Sequence, residues 1–193
     1  MAQHHAVTRQ GLGLFDVSSA LQKAVRRGDE YLALRCAEEL FVSNYGEYCW
    51  KRLKIMVSED IGLGEPNLPA TILSLYQMYV EQTKKKDDVH KPERLFLYHA
   101  VILCVRAKKS RYVDWAVNYY MNTQRNEPIM IPDYCFDKHT STGRKMGRGL
   151  KHFYEEGSKL NNMAIVDGEE EMKKRAWIAS NKKEVVVEQT TMF

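Results

Sequence analysis

The chain has 193 residues, 44% of them apolar and 28% charged, a size that supports one core and a composition that argues against disorder and against a membrane class. Its formal net charge is +4, with cations gathered at Lys84–Lys86, Arg106–Arg111 and Arg144–Lys151 and acids at Glu169–Glu171; this permits an anionic partner without requiring one. The longest apolar stretch, Leu95 to Val105, is broken by Tyr98 and His99 and falls well short of the roughly 20 residues that cross a bilayer.

In chain order, Asp16 or Ser18 can cap a first helix ending at Arg27, where Val17, Leu21, Ala24 and Val25 recur at helical spacing and Gly28-Asp29 stops the run. A second helix is expected from Glu30 to about Phe41. A third, from about Glu47 to Asp60, aligns Cys49, Trp50, Leu53, Met56 and Val57 on one stripe. Gly62-Leu63-Gly64-Glu65-Pro66 breaks it. The fourth runs from about Leu68 to Thr83, and a charged linker covers 84–91. Pro92 suits the first turn of a fifth helix reaching about Lys108. Ser110 caps a sixth whose apolar side is Tyr112, Val113, Ala116, Val117 and Tyr120. Six amphipathic helices with short connections are expected to bury their stripes on one another, giving an all-α domain over 14–123.

After Thr123 the pattern changes. Pro128 and Pro132 punctuate an irregular stretch, a helix is expected over Gly147–Leu160 and a weaker one near Glu169–Ala179. This gives a helical and irregular extension over 124–180 and a tail over 181–193, where Val185–Val187 suit either a short strand or frayed chain. Cys36, Cys49, Cys104 and Cys135 have no C-x-x-C or zinc spacing, so reduced structural thiols are expected, with no metal. The first residues, Met1 to Gln10, hold no apolar run before a small-residue cleavage site, so the expected compartment is the cytoplasm, away from membranes.

One run is more specific. "LQKAVRRGDEYLALRCAEELF" from Leu21 is followed by "YCWKRLKIMVSEDIGLGEP" ending at Pro66: a helix ends in a basic-Gly-Asp turn, an Ala-Leu helix follows, and the next helix closes in Ser-Glu-Asp-Ile-Gly-Leu-x-x-Pro. Gly28, Asp29, Ala33, Leu34, Leu40, Arg52, Ser58, Glu59, Asp60, Ile61, Gly62, Leu63 and Pro66 carry this pattern, which resembles the C-terminal helical region of the RarA/MgsA and Werner-helicase-interacting ATPases, AAA+ relatives of the clamp loaders. Weaker similarity extends to about Thr123. The resemblance implies a compact, collar-type multi-helix domain that holds ATPase subunits together, in that family often as a tetramer, at stalled replication forks. None of the eleven glycines opens a G-x-x-x-x-G-K-[ST] loop, so no residue set here wraps a triphosphate and its Mg²⁺. The chain is therefore expected to be a freestanding, non-catalytic collar, without cofactor.

Ser58-Glu59-Asp60 stand at a helix C-terminus, where acids oppose the macrodipole; the expectation is that they cap a neighbouring helix or pair with Arg26, Arg27 or Arg52. A carboxylate pair also admits general acid/base chemistry, but no nucleophile or metal ligand stands at a supporting spacing. The stretch Ile131–Leu160 joins flexible backbone to cations, and Lys138, His139, Arg144, Lys145, Arg148 and Lys151 form a candidate nucleic-acid or phosphate site. Its alternative is a solvated turn docked by Leu150 and Phe153. His139 could act as a base, although a second H-x-T motif is absent; His99 and His152 sit on apolar helical faces and read as packed. Tyr112, Trp115, Tyr119 and Tyr120 could stack bases or form core or interface.

Three functions follow. The first is an oligomerising adaptor, a homo-oligomer serving a replication or recombination AAA+ ATPase in trans. The second is a DNA-binding module using residues 138–151. The third is an inhibitor, encoded by a mobile element, that joins and blocks a host ATPase.

Overall fold

A computed structural model of the chain describes residues 6–84, 92–123 and 127–190; the charged linker expected at 84–91 falls outside these apart from Lys84. The fold is all-α: among the described residues the only extended pairing is a single bridge between Val7 and Gly13. Two compact units divide at Glu127 and Pro128. None of the described helices is long and apolar enough to cross a membrane.

The first unit contains α1 (Leu14–Arg27), α2 (Glu30–Val42), α3 (Gly46–Met56), α4 (Leu68–Thr83), α5 (Glu93–Arg106) and α6 (Tyr112–Thr123). α1 starts at Leu14, ahead of the expected Asp16 or Ser18, because the preceding residues fold back. The Leu14 amide donates to Ala6 O at 2.9 Å, and Ser18 is itself buried. That arm is pinned onto α2, where the Gln10 amide donates to Glu39 Oε1 at 2.8 Å. Gly28 ends α1 in the left-handed conformation, and Asp29 caps α2 by accepting from the Leu32 amide at 3.0 Å.

Trp50, Leu21, Leu40, Leu53, Ile72, Leu97 and Val101 are fully buried at the centre of α1–α5. The Trp50 ring lies 5.5 Å from Tyr76 and 5.4 Å from Tyr79, so one indole joins α3 to α4. Arg106 on α5 pairs with Glu30 on α2 at 2.6 Å, and Tyr98 donates to Glu38 at 3.0 Å. Cys36, Cys49 and Cys104 are free and buried in this core, while Cys135 in the second unit is exposed. Burial pushes the Cys49 and Cys104 thiols up to about 12, which suits inert packing groups.

Two expectations change here. Regular α-helix in α3 stops at Met56, and Val57–Ile61 continue as a π-helical turn. More consequentially, five helices bury their stripes and the sixth does not: no residue of α6 is buried, and Tyr112 and Trp115 are 67% and 59% exposed.

The second unit holds a 3₁₀ turn (Asp133–Cys135), α7 (Ser141–Lys145), α8 (Leu150–His152, continued by a π turn over Phe153–Gly157) and α9 (Glu169–Thr190). The helix expected from Gly147 to Leu160 is shorter because Gly147 takes φ +73° and Gly149 stays extended. α9 is longer than expected and passes through Val185–Val187 as helix, in place of the strand or frayed tail. No glycine or proline interrupts 169–190, and three valines cost a helix only a few tenths of a kcal/mol each.

Candidate functional site

The Ser-Glu-Asp signature folds into the π turn after α3, and that wide turn aims Asp60 inward. The Asp60 side chain has 0% exposure, and its carboxylate is fully engaged. Oδ1 accepts from Arg26 Nε on α1 at 2.5 Å and Oδ2 accepts from Gln22 Nε2 at 2.9 Å. Arg26 also donates to Glu59 Oε1 at 2.9 Å. Arg111, just ahead of α6, lies 3.6 Å from Glu59 and 3.5 Å from Asp60, pairs with Asp114 and stacks its guanidinium 4.5 Å over the Trp115 ring. Arg52 on α3 enters indirectly, donating to Gln22 Oε1 at 2.6 Å. Three guanidiniums thus meet three carboxylates, and the buried acid keeps its charge compensated.

Of the expected pairings, Arg26 is direct and Arg52 is relayed through Gln22. Arg27 joins no ion pair among the described residues. Arg111, Asp114 and Gln22 are additions that the residue pattern did not reveal, because 106–111 reads simply as a basic surface run. A proton-transfer role for Glu59 and Asp60 has no room: Asp60 meets no solvent, and both acids already hold arginine.

Backbone contacts reinforce the joint. The Ser110 amide donates to Asp60 O and Ile61 O, both at 3.1 Å. Gly62 (φ +46°) and Gly64 let this strand of chain lie directly on the turn; a Cβ on Gly62 would stand 3.0 Å from Ser110 O, and one on Gly64 2.5 Å from Lys108 O. Ser58 is exposed and takes no part. The whole signature therefore fixes residues 108–114 and, through them, the start of α6.

What α6 presents is an apolar groove of about 560 Å³ lined by Leu63, Tyr112, Val113, Ala116, Val117, Tyr120 and Met121. No lysine or arginine lines it. A contiguous exposed apolar face of this kind marks a surface that another macromolecule covers.

The candidate basic site is built differently, and much of it serves its own fold. Arg148 grips Asp133 with Nη2 at 2.7 Å to both carboxylate oxygens and donates from Nη1 to the Asp133 and Phe136 carbonyls. Arg144 donates to the carbonyls of Lys138 and His139 at 3.2 and 3.1 Å. The Gly143 amide donates to the Thr140 hydroxyl at 3.0 Å. Lys138 Nζ stands 5.6 Å from the Phe153 ring, against whose ring His139 packs edge to face at 5.0 Å. His152 is half-buried, with Nδ1 unpartnered among the described residues. Lys145 is exposed and has no ion-pair partner among the described residues. Lys151 is 78% exposed and reaches Glu155 only at 3.9 Å. The six residues are gathered in one unit, but the two arginines spend their guanidiniums on protein carbonyls and Asp133. Among the described residues no cluster of His, Cys, Asp and Glu could hold a metal ion.

Comparison with known proteins agrees with the fold and with the signature. The family model described as the C terminal of the MgsA AAA+ ATPase matches residues 43–191. Replication-associated recombination protein A of Bacillus subtilis is 29% identical over 148 residues, covering 76% of this chain and 34% of that protein. An uncharacterized AAA domain-containing protein of Mycobacterium tuberculosis is 30% identical over 149 residues, covering 76% of this chain and 31% of that protein. The chain spans about a third of the length of the curated relatives it matches. The matched region includes 128–191, so the likeness reaches beyond Thr123 and takes in the basic stretch and α9.

Proposed function

Because this chain belongs to the MgsA AAA+ ATPase C-terminal family, a family of replication and recombination ATPases, we propose that it acts through its surfaces as an assembly element: it self-associates through α6 and serves an AAA+ motor supplied in trans. One observation carries this reading. α6 is the one helix of the first unit with no buried residue, yet its exposed apolar face is held in a fixed position by a fully compensated charge cluster and two close glycine contacts. Anchoring of that quality is wasted on a helix that meets only water.

A second copy of the chain is the occupant that fits best, because the face is apolar and without cations, as expected of the centre of a homo-oligomeric interface. Light scattering on the purified chain tests it. The wild type forms a defined oligomer at high micromolar concentration, and Val117→Asp, on an exposed position, returns it to monomer with its helicity intact. A strict monomer in the wild type overturns self-association. Recovery of a cellular AAA+ ATPase with wild type and its absence with a folded Val117→Asp chain separates assembly on the motor from mere self-contact.

A further inference from the structure

We propose that the groove between α8 and α9 takes single-stranded nucleic acid, a base resting on Trp177 and Tyr154 and the flanking phosphates on Lys151, Lys173 and Lys174. This goes beyond the assembly role and does not depend on it.

The groove encloses about 410 Å³ and is lined by Lys151, Tyr154, Glu155, Glu170, Lys173, Lys174, Trp177 and Ile178, within the size range of sites that bind small planar groups. Trp177 meets Tyr154 edge to face, with ring centroids 5.1 Å apart and planes at 77°. In such a pair the ring that presents its edge keeps both faces clear of its partner, and a clear aromatic face is the sequence-tolerant platform on which bases stack. Three ammonium groups rim it. Lys173 and Lys174 have no ion-pair partner among the described residues, and Lys151 is held by Glu155 at the 3.9 Å limit. Glu170 is the remaining acid on the rim.

Composition separates this groove from the other aromatic surface. The α6 face offers tyrosines but no cation, so it suits protein; the α8–α9 groove offers ring faces and lysines together, which is the pairing a phosphodiester strand uses. An acidic peptide would engage the lysines and leave both rings in water. The inference also shifts the anion site expected over 138–151: Arg144 and Arg148 are internal struts, and of those six residues only Lys151 lines this groove.

The test uses the full chain and fluorescein-labelled oligothymidine of about 20 nucleotides in anisotropy titrations, beside an abasic strand of equal length. The thymidine strand binds about tenfold more tightly than the abasic one. Trp177→Ala removes about a factor of ten, Trp177→Phe restores most of it, and the Lys173→Ala, Lys174→Ala double variant flattens the logarithmic salt slope by about 1.4, at roughly 0.7 per phosphate on a single strand. Circular dichroism establishes that each variant keeps its helicity, and Arg144→Ala serves as the control that leaves affinity unchanged. Equal affinity for the abasic strand, wild-type affinity in a folded Trp177→Ala chain, or no binding by the wild type at high micromolar concentration each overturns the proposal.

Discussion

α5 and α6 are neighbours in the chain, similar in length and both rich in apolar residues, yet they have opposite fates. α5 buries Leu97, Ala100, Val101, Cys104 and Val105, while α6 buries nothing. The difference lies in how each is held: α5 packs its side chains against α1, α2, α3 and α4, and α6 is tethered at its first turn by backbone and ion pairs to 57–64. Apolar periodicity says that a face is to be covered; it does not say whether the cover comes from the same chain.

The sharpest way to break this contrast is a matched pair of truncations read by urea denaturation. Leu97→Ala opens a cavity in a fully buried site and costs about 2–5 kcal/mol, whereas Val117→Ala stays within about 0.5 kcal/mol for the isolated chain. Equal losses would mean that α6 belongs to the core after all. Next in size is Asp60→Ala, which strips the buried acid from Arg26 and Arg111 and costs about 3 kcal/mol. Amide hydrogen exchange should show the loss of protection centred on 108–123, and a loss confined to α3 and α4 would argue against the tether. Thiol labelling at neutral pH distinguishes the helices without perturbing stability: Cys104 reacts only on unfolding, while a cysteine placed on α6 by Val117→Cys reacts as promptly as Cys135 in the native protein.

The smallest effect concerns Lys109, which lies between the two helices and closes α5 by donating to the carbonyls of Val105 and Ala107 at 2.8 and 2.6 Å. Burial lowers its pKa from the ordinary 10.5, although Cys104 and Asp60 pull it upward. In the window just below 10.5 the unfolded chain therefore holds a proton that the folded chain has released, and this group makes stability rise with pH. Tyr79, pushed up to about 12 by burial, acts in the opposite direction there. The informative quantity is thus the difference between wild type and Lys109→Arg, whose guanidinium does not titrate: the wild type gains on the variant by a few tenths of a kcal/mol as pH approaches 10.5, and parallel curves would contradict this.

Much of the fold was legible because it rests on local chemistry. Gly28-Asp29 stops one helix and caps the next; Pro92 and Ser110 mark the starts of α5 and α6; the stripe through Trp50, Leu53 and Met56 is buried as its spacing predicts. The partners of Asp60 were only half legible. Arg26 stands in the signature run itself, but Arg111 lies 51 residues further on, as the numbering shows, and nothing local distinguishes it from Lys108 or Lys109 beside it. The basic stretch misled for a related reason: Arg144 and Arg148 announce an anion, but carbonyls and Asp133 reached them first, a competition that only three-dimensional proximity decides. Tyr154 and Trp177 went unremarked because their pairing joins two helices across an irregular connection.

The five-residue turn from Val57 to Ile61 has one further consequence. An α-helix advances 100° per residue, so deleting a single residue there would let the chain continue at ordinary pitch while swinging everything downstream by more than a quarter of a revolution. Asp60 would then face water and the glycines would leave Ser110. Length at this point is accordingly less forgiving than identity: exchanging Ser58, which touches nothing, should pass unnoticed, whereas losing it altogether would disconnect the outer helix from the bundle.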